Sequence, residues 1–414
     1  MPEALIADLR ARGFVPPDYD GRGLLNIPAT VMEVLGVRQA NDPPVLRDLD
    51  PSLRDGARRV LVVLVDGLGL GQLQAACDTG ATPFLAELRD RARRRDGAQL
   101  IEATTVFPST TAAAITTMNT ARTPLEHGNI AYFAWVEEFA QVTQMLRWGA
   151  AVTRRGSYFD DAAVDPRRYV QVPSIHGRLR ERGIESFVVE PEMFRTEAMT
   201  RMHAAEATYL GYILPSTMGV RVGEFLRGSG PAYMYAYWAG VDTACHIYGP
   251  HSAEALTEAA VVDLDLRRAF DGRGRGDTLV LLTADHGHAA TDPDRAIDLV
   301  GDDELASLLR TPLAGEPRLV FVHSDHADLV REHLERRWPG AFTIFDRDAL
   351  IAAGLFGPGD GRVTRGRIGE VIAMLSDDRS ASIMKVDGQA VRHRGDHGGM
   401  TADEMRIPIL AWRV

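Results

Sequence analysis

The run Arg58–Val65, RRVLVVLV, leaves this chain little choice of fold. After two arginines it shows no polar position at all. A strand with one wet face alternates apolar and polar residues. This one does not, so both of its faces must be covered, as in a parallel sheet flanked by helices. Ala232–Trp238, AYMYAYW, and Thr278–Thr283, TLVLLT, carry the same signature. Leu100–Val106, Gln141–Trp148 and Ser186–Glu190 are further predicted strands. Between them lie helical patterns: Ile27–Leu35, Thr82–Arg95 with Thr82 as cap and Pro83 in the first position, Ser174–Arg182, Val220–Arg227 and the long amphipathic Ala253–Phe270. Strand and helix in alternation predict an α/β fold with a mostly parallel sheet and helices on both faces. Ligands on such sheets sit beyond the carboxyl ends of the strands. Asp66, Asp242 and Asp285 each follow a predicted strand, which points to one shared site.

The stretch Phe107–Gly128, FPSTTAAAITTMNTARTPLEHG, supplies the other half of that site. Three hydroxyls, Ser109, Thr110 and Thr111, precede a good helix start at Ala112–Ile115. Hydroxyl side chains cap helices by accepting from the free N–H groups of the first turn. The same N–H groups and the helix dipole bind anions such as phosphate. One of these hydroxyls is therefore a cap or a nucleophile facing a phosphate, and the stretch by itself leaves both open.

Charge and cysteine content narrow the class. The chain has 414 residues and a net charge of −11, with acidic residues spread throughout, which argues against a general nucleic-acid binder. Its two cysteines, Cys77 and Cys245, do not make a disulfide scaffold. The N-terminal MPEALIADLRARGF reads as a charged amphipathic helix without the apolar core of a signal peptide. No stretch approaches the run of roughly 20 apolar residues that spans a bilayer. A cytoplasmic location with no membrane partner is the expectation; oligomeric state leaves no mark.

Four clusters carry the remaining chemistry: Asp66 in VDGLG, Asp242 and His246 in GVDTACHIYGPHS, Asp285 and His286 in TADHGH, and His397 in RGDHGGM. Mixed carboxylate and imidazole ligands suit zinc or another first-row divalent ion. Six such ligands suffice for two ions with three each, and a pair of ions about 4 Å apart clamps the attacking and leaving oxygens of a phosphoryl transfer. Each cluster also has a local reading: a strand-ending turn at Asp66-Gly67, a hydrogen-bonded pair at Asp242 and His246, a loop at Asp285–Gly287. His288 and His393 read as supporting or surface residues.

In order and spacing these motifs resemble the type I phosphodiesterase and nucleotide pyrophosphatase family of the alkaline phosphatase superfamily. The likeness rests on Asp66-Gly67 after an apolar strand, on Thr111 followed by Thr123-Pro-x-x-His127-Gly128, on Asp242-x-x-x-His246-x-Tyr248-Gly249-Pro250-x-Ser252, on Asp285-His286-Gly287 and on His397-Gly398. It implies an alkaline-phosphatase-like three-layer core over 58–315 and 391–414, after a lead-in at 1–57. It further implies a two-zinc site. Asp242, His246 and His397 would hold one ion, and Asp66, Asp285, His286 and the Thr111 oxygen the other. Thr111 would be the nucleophile, with Thr110 as its rival, and a phosphothreonine the intermediate. His127 would be structural. The implied substrate is a small phosphate ester, a phosphodiester or pyrophosphate of nucleotide type, with a phosphomonoester or phosphonate as the alternative. Many relatives carry an Asn that contacts a phosphoryl oxygen where this chain has Ala114, which leaves that preference open. Residues 316–390 read as a small α+β cap, with strands at Arg318–Val322, Phe342–Phe345 and Ala381–Val386 and helices at Ala327–Arg337 and Arg347–Ala353. Tyr132, Phe133, Trp135 and Tyr158 are candidates to stack on a base or simply to pack.

Overall fold

The computed structural model describes residues 2–154, 156, 158 and 165–414. Its larger sheet runs Ala98–Thr104, Arg406–Arg413, Thr278–Thr283, Arg59–Val65, Ala232–Trp238, Glu185–Val189 and Thr208–Tyr209 in spatial order. The last five are parallel to one another, and Arg406–Arg413 is antiparallel to both of its neighbours. Every position of Arg59–Val65, Ala232–Trp238 and Thr278–Thr283 is buried, as unbroken apolar runs require. Val65 lies opposite Trp238 and Leu64 opposite Thr283, so the three central strands end level. Asp66 follows directly and Asp285 one residue further on, and Asp242 sits in the first turn of the helix Gly240–Tyr248. The three aspartates thus share one rim.

A second sheet is antiparallel throughout: Phe342–Asp346, Val371–Leu375, Leu319–Val322, Ala314–Glu316, Phe133–Val136, Gln141–Gln144 and Gly149–Ala150. It is built from two separate stretches of chain. A shared apolar cluster ties it to the residues around the rim, joining Phe107 and Leu125 to Phe321, Phe356, Ile372 and Met400.

Several local expectations are corrected. Gln141–Trp148 is not one strand. The chain turns over Met145–Trp148, with Trp148 at φ 53°, and returns as Gly149–Ala150. Ala381–Val386 is likewise broken. Ala381–Ser382 pairs with Ile297–Asp298, and Lys385–Val386 with Gln389–Ala390. The strand that occupies the second sheet is Val371–Leu375. Thr82 stands at the start of the helix Pro83–Arg94 but does not cap it. The Asp263 carboxylate accepts from the backbone N–H of Phe84 and Leu85 instead, at 3.1 and 2.7 Å.

Candidate active site

The helix Thr111–Thr120 is buried along its whole length. The segment before it is pinned across the rim by long-range bonds. The Thr105 hydroxyl donates to the Asp285 carbonyl. The Ser109 hydroxyl donates to the Gly399 carbonyl at 2.8 Å and accepts from the Gly398 N–H at 3.0 Å. Thr110 holds the cap position without capping, and its hydroxyl faces the Glu316 carboxyl. Thr111 Oγ1 lies 3.1 Å from His286 Nε2. Of the three hydroxyls, it is Thr111 that reaches the candidate ligands.

Those ligands form two adjoining sets. In the first, ligand atoms of Asp66, Asp285 and His286 lie within 4.8 Å of one another. His286 Nε2 is 3.6 Å from Asp66 Oδ1 and 3.3 Å from Asp285 Oδ2. In the second, Asp242 Oδ1 faces the Nε2 atoms of His288, His246 and His397 at 2.9, 3.3 and 3.8 Å. The His286 and His397 rings stack at 3.7 Å, which joins the sets. His127 lies apart from them, buried, with its Nε2 3.0 Å from the Thr117 hydroxyl.

Whether these residues fit divalent ions can be judged from the polar atoms themselves. Asp66 Oδ2 accepts from the Tyr237 hydroxyl, but Asp66 Oδ1 and Asp285 Oδ2 are buried with no hydrogen-bond partner among the described residues. Burial, reinforced by the charges of Asp285 and Asp242, drives the Asp66 carboxyl well above the ordinary carboxylate range. Two dry carboxylates side by side require a shared proton or a cation. The imidazoles favour the cation. His246, His286 and His397 each place Nδ1 on a backbone carbonyl, of Gly395, Gly287 and Ser109, at 2.7, 3.2 and 2.8 Å. A carbonyl only accepts, so Nδ1 carries a proton and Nε2 is the atom turned toward the ligand sets, the orientation of a metal-ligating histidine. The residues present fit two divalent ions.

Beside the ligands opens a cavity of about 530 Å³. Thr111, Asp242, His246 and His397 form its floor, and Tyr132, Phe133, Ile383, Met384 and Val391 much of its wall. Two of the four candidate aromatics, Tyr132 and Phe133, therefore face it. Tyr158 packs on Phe139, and Trp135 packs against a hydrophobic cluster of the second sheet. Gln144 and Arg147 supply amide and guanidinium, 2.8 Å apart. Glu316 also lines the cavity, its carboxyl pushed up to about 8 by burial.

The profile of the type I phosphodiesterase / nucleotide pyrophosphatase family matches residues 60–400. The chain belongs to that family. It is accordingly a phosphoric ester hydrolase. Among solved structures it is similar to phosphonoacetate hydrolase from Sinorhizobium meliloti 1021 in complex with phosphonoformate, with 17% identity over 86% of this chain and 90% of that one and a TM-score of 0.63. It is also similar to murine ectonucleotide pyrophosphatase / phosphodiesterase 5, with 17% identity over 85% and 87% and a TM-score of 0.60. At that identity the likenesses establish the fold. A search of curated proteins by sequence finds no match. No helix among the described residues is long and apolar enough to cross a membrane.

From the sequence His288 reads only as a supporting or surface residue, and other residues around the rim are passed over. His288 had a signal, a further imidazole two places beyond His286, but no pattern to separate it from a surface histidine. Asp396, 2.8 Å from His393 Nδ1 and 3.6 Å from His246 Nδ1, stands next to His397. Glu316 and Tyr237 lie on strands and leave no mark of their own.

Proposed function

We infer that this chain hydrolyses phosphodiester or pyrophosphate bonds of nucleotide-type substrates through a covalent phosphothreonine at Thr111. The observation that carries the reading is the Thr111 hydroxyl, at the start of a buried helix, bonded to the candidate ligand His286 and lining the same cavity as Asp242, His246 and His397. Asp66, Asp285, His286 and Thr111 would hold one divalent ion, and Asp242, His246 and His397 the other. The donor set suits zinc. Such a pair, when bound, favours the alkoxide of a coordinated hydroxyl and neutralises charge on the attacking and leaving oxygens.

The chain's own residues then do the following. Thr111 Oγ1 attacks phosphorus, the bond to the leaving oxygen breaks, and water later cleaves the phosphothreonine. The N–H groups opening the helix Thr111–Thr120 bind phosphoryl oxygens where charge develops. The apolar wall excludes bulk water and accommodates the leaving group. A cavity of about 530 Å³ matches a drug-sized ligand better than a two-carbon acid, which supports the diester over the alternative. Ala114 is fully buried and offers no polar group. Gln144 and Arg147, among the polar residues that line the cavity, would take its place.

A phosphonate or phosphomonoester substrate is the second reading. It is favoured by the likeness to a phosphonoacetate hydrolase and by Arg147, which would suit a carboxylate. Hydrolysis of bis-p-nitrophenyl phosphate, p-nitrophenyl phosphate and phosphonoacetate, by zinc-loaded and chelator-stripped protein, separates the two. Faster zinc-dependent cleavage of the diester is expected. Faster cleavage of either other substrate would overturn the diester reading.

A further inference from the structure

His288 departs from the pattern of the other rim histidines. His246, His286 and His397 all set Nδ1 against a backbone carbonyl and turn Nε2 inward. His288 differs. Its Nε2 lies 2.9 Å from Asp242 Oδ1, and a carboxylate oxygen accepts, so Nε2 bears the hydrogen. Its Nδ1 is buried and has no hydrogen-bond partner among the described residues. The nitrogen that approaches the second ligand set is therefore a donor and not a lone pair.

The surroundings hold the ring there. The His288 side chain is fully buried while Asp242 retains 17% exposure. His246 and His286 meet its ring edge to face at 4.8 and 5.5 Å. Gln72 Nε2 donates to the His288 carbonyl at 3.1 Å. The turn after Arg59–Val65 leaves room for the pair. Gly67 has φ +73°, and a Cβ there would lie 2.8 Å from Asp242 Cα and 2.9 Å from His288 Nε2. Only glycine permits this approach of the Asp66 strand end to the bonded pair.

We propose that His288 is a positioning residue for the second ion. It donates Nε2–H to Asp242 Oδ1 and so fixes the rotamer in which that carboxylate meets His246 and His397. Asp242 stands in the first turn of the helix Gly240–Tyr248, and its other imidazole neighbours, His246 and His397, lie farther off at 3.3 and 3.8 Å. A hydrogen-bond donor to a ligating carboxylate typically changes metal affinity 10- to 100-fold on removal. This inference rests on the two-ion reading given above.

Two variants test it. His288→Gln keeps an N–H donor at a similar reach, and His288→Met keeps the volume and removes the donor. Stepwise Zn2+ affinities of the full chain are measured by chelator competition, with Co2+ absorption spectra and apo-protein thermal midpoints alongside. His288→Met should weaken one of the two ions by about 10- to 100-fold. His288→Gln should hold the wild-type affinity, and the Co2+ spectra of both should keep the wild-type ligand field. An equal loss in both variants with an altered Co2+ spectrum would make His288 a ligand and overturn the proposal. Unchanged affinities with a lowered apo midpoint would make it a packing residue and overturn it equally. Wild-type protein that takes up no divalent ion would instead sink the two-ion reading, and this inference with it.

Discussion

The two ligand sets are built from the same residue types, yet they solve the burial of charge differently. Asp66, Asp285 and His286 come from the ends of two neighbouring strands and are almost dry, with side chains 0–3% exposed. Two of their carboxylate oxygens have no hydrogen-bond partner among the described residues. Asp242, His246 and His397 open on the cavity. Burial works against the Asp242 charge too, but the His246 and His288 imidazoles outweigh it and hold that carboxyl well below its ordinary range. One set is unsatisfied without a cation, and the other is satisfied by its own imidazoles. A dry set costs stability until it is filled, while an open one exchanges ions and meets substrate.

If the nucleophile belongs to the dry set, Thr111→Ala should lower turnover on the order of 10³-fold or more and leave the content of two ions largely intact. Thr110→Ala should keep most activity, because that hydroxyl faces Glu316. The reverse outcome in steady-state rates would move the nucleophile and break the assignment.

Glu190 offers a control, a buried carboxyl with no ligand set around it. Burial pushes it up to about 7, and the Thr200 hydroxyl donates to it only over a long 3.4 Å. Between the ordinary range near 4.5 and about 7 the folded chain keeps a proton that the unfolded chain has released. Stability must therefore fall as pH rises through that window, and the loss is complete above it. The difference corresponds to about 3 kcal/mol. Glu190→Gln should match wild type in urea unfolding at pH 5 and exceed it by about that much at pH 8, with or without zinc. A gain that vanishes on zinc loading would mean that the site's ions reach Glu190.

The smallest effect concerns the dry set itself. Chelation should lower the wild-type thermal midpoint. Asp66→Asn removes one of the crowded carboxylates, so its stripped form should melt above stripped wild type, and zinc should restore less. Asp242→Asn should show no such gain in the stripped form. Equal behaviour of the two variants would erase the contrast between the sets.

The sequence by itself determined the parallel core and the rim. Apolar runs such as Arg59–Val65 and Thr278–Thr283 are local statements that both faces are covered, and an aspartate following one must lie at a strand end. It also determined the ligand types, because residue chemistry does not depend on packing. What it left open was decided by partners far away in the chain. The strands Val371–Leu375 and Arg406–Arg413 find their places only through long-range pairing. The surroundings that distinguish Ser109, Thr110 and Thr111 come from Gly399, Glu316 and His286, each more than 150 residues distant in the chain. The tautomers of His246, His286, His288 and His397 are likewise set by whichever carbonyl or carboxylate tertiary folding brings to each ring. A proton's position on an imidazole depends on its neighbour, and neighbours of that kind are written only in three dimensions.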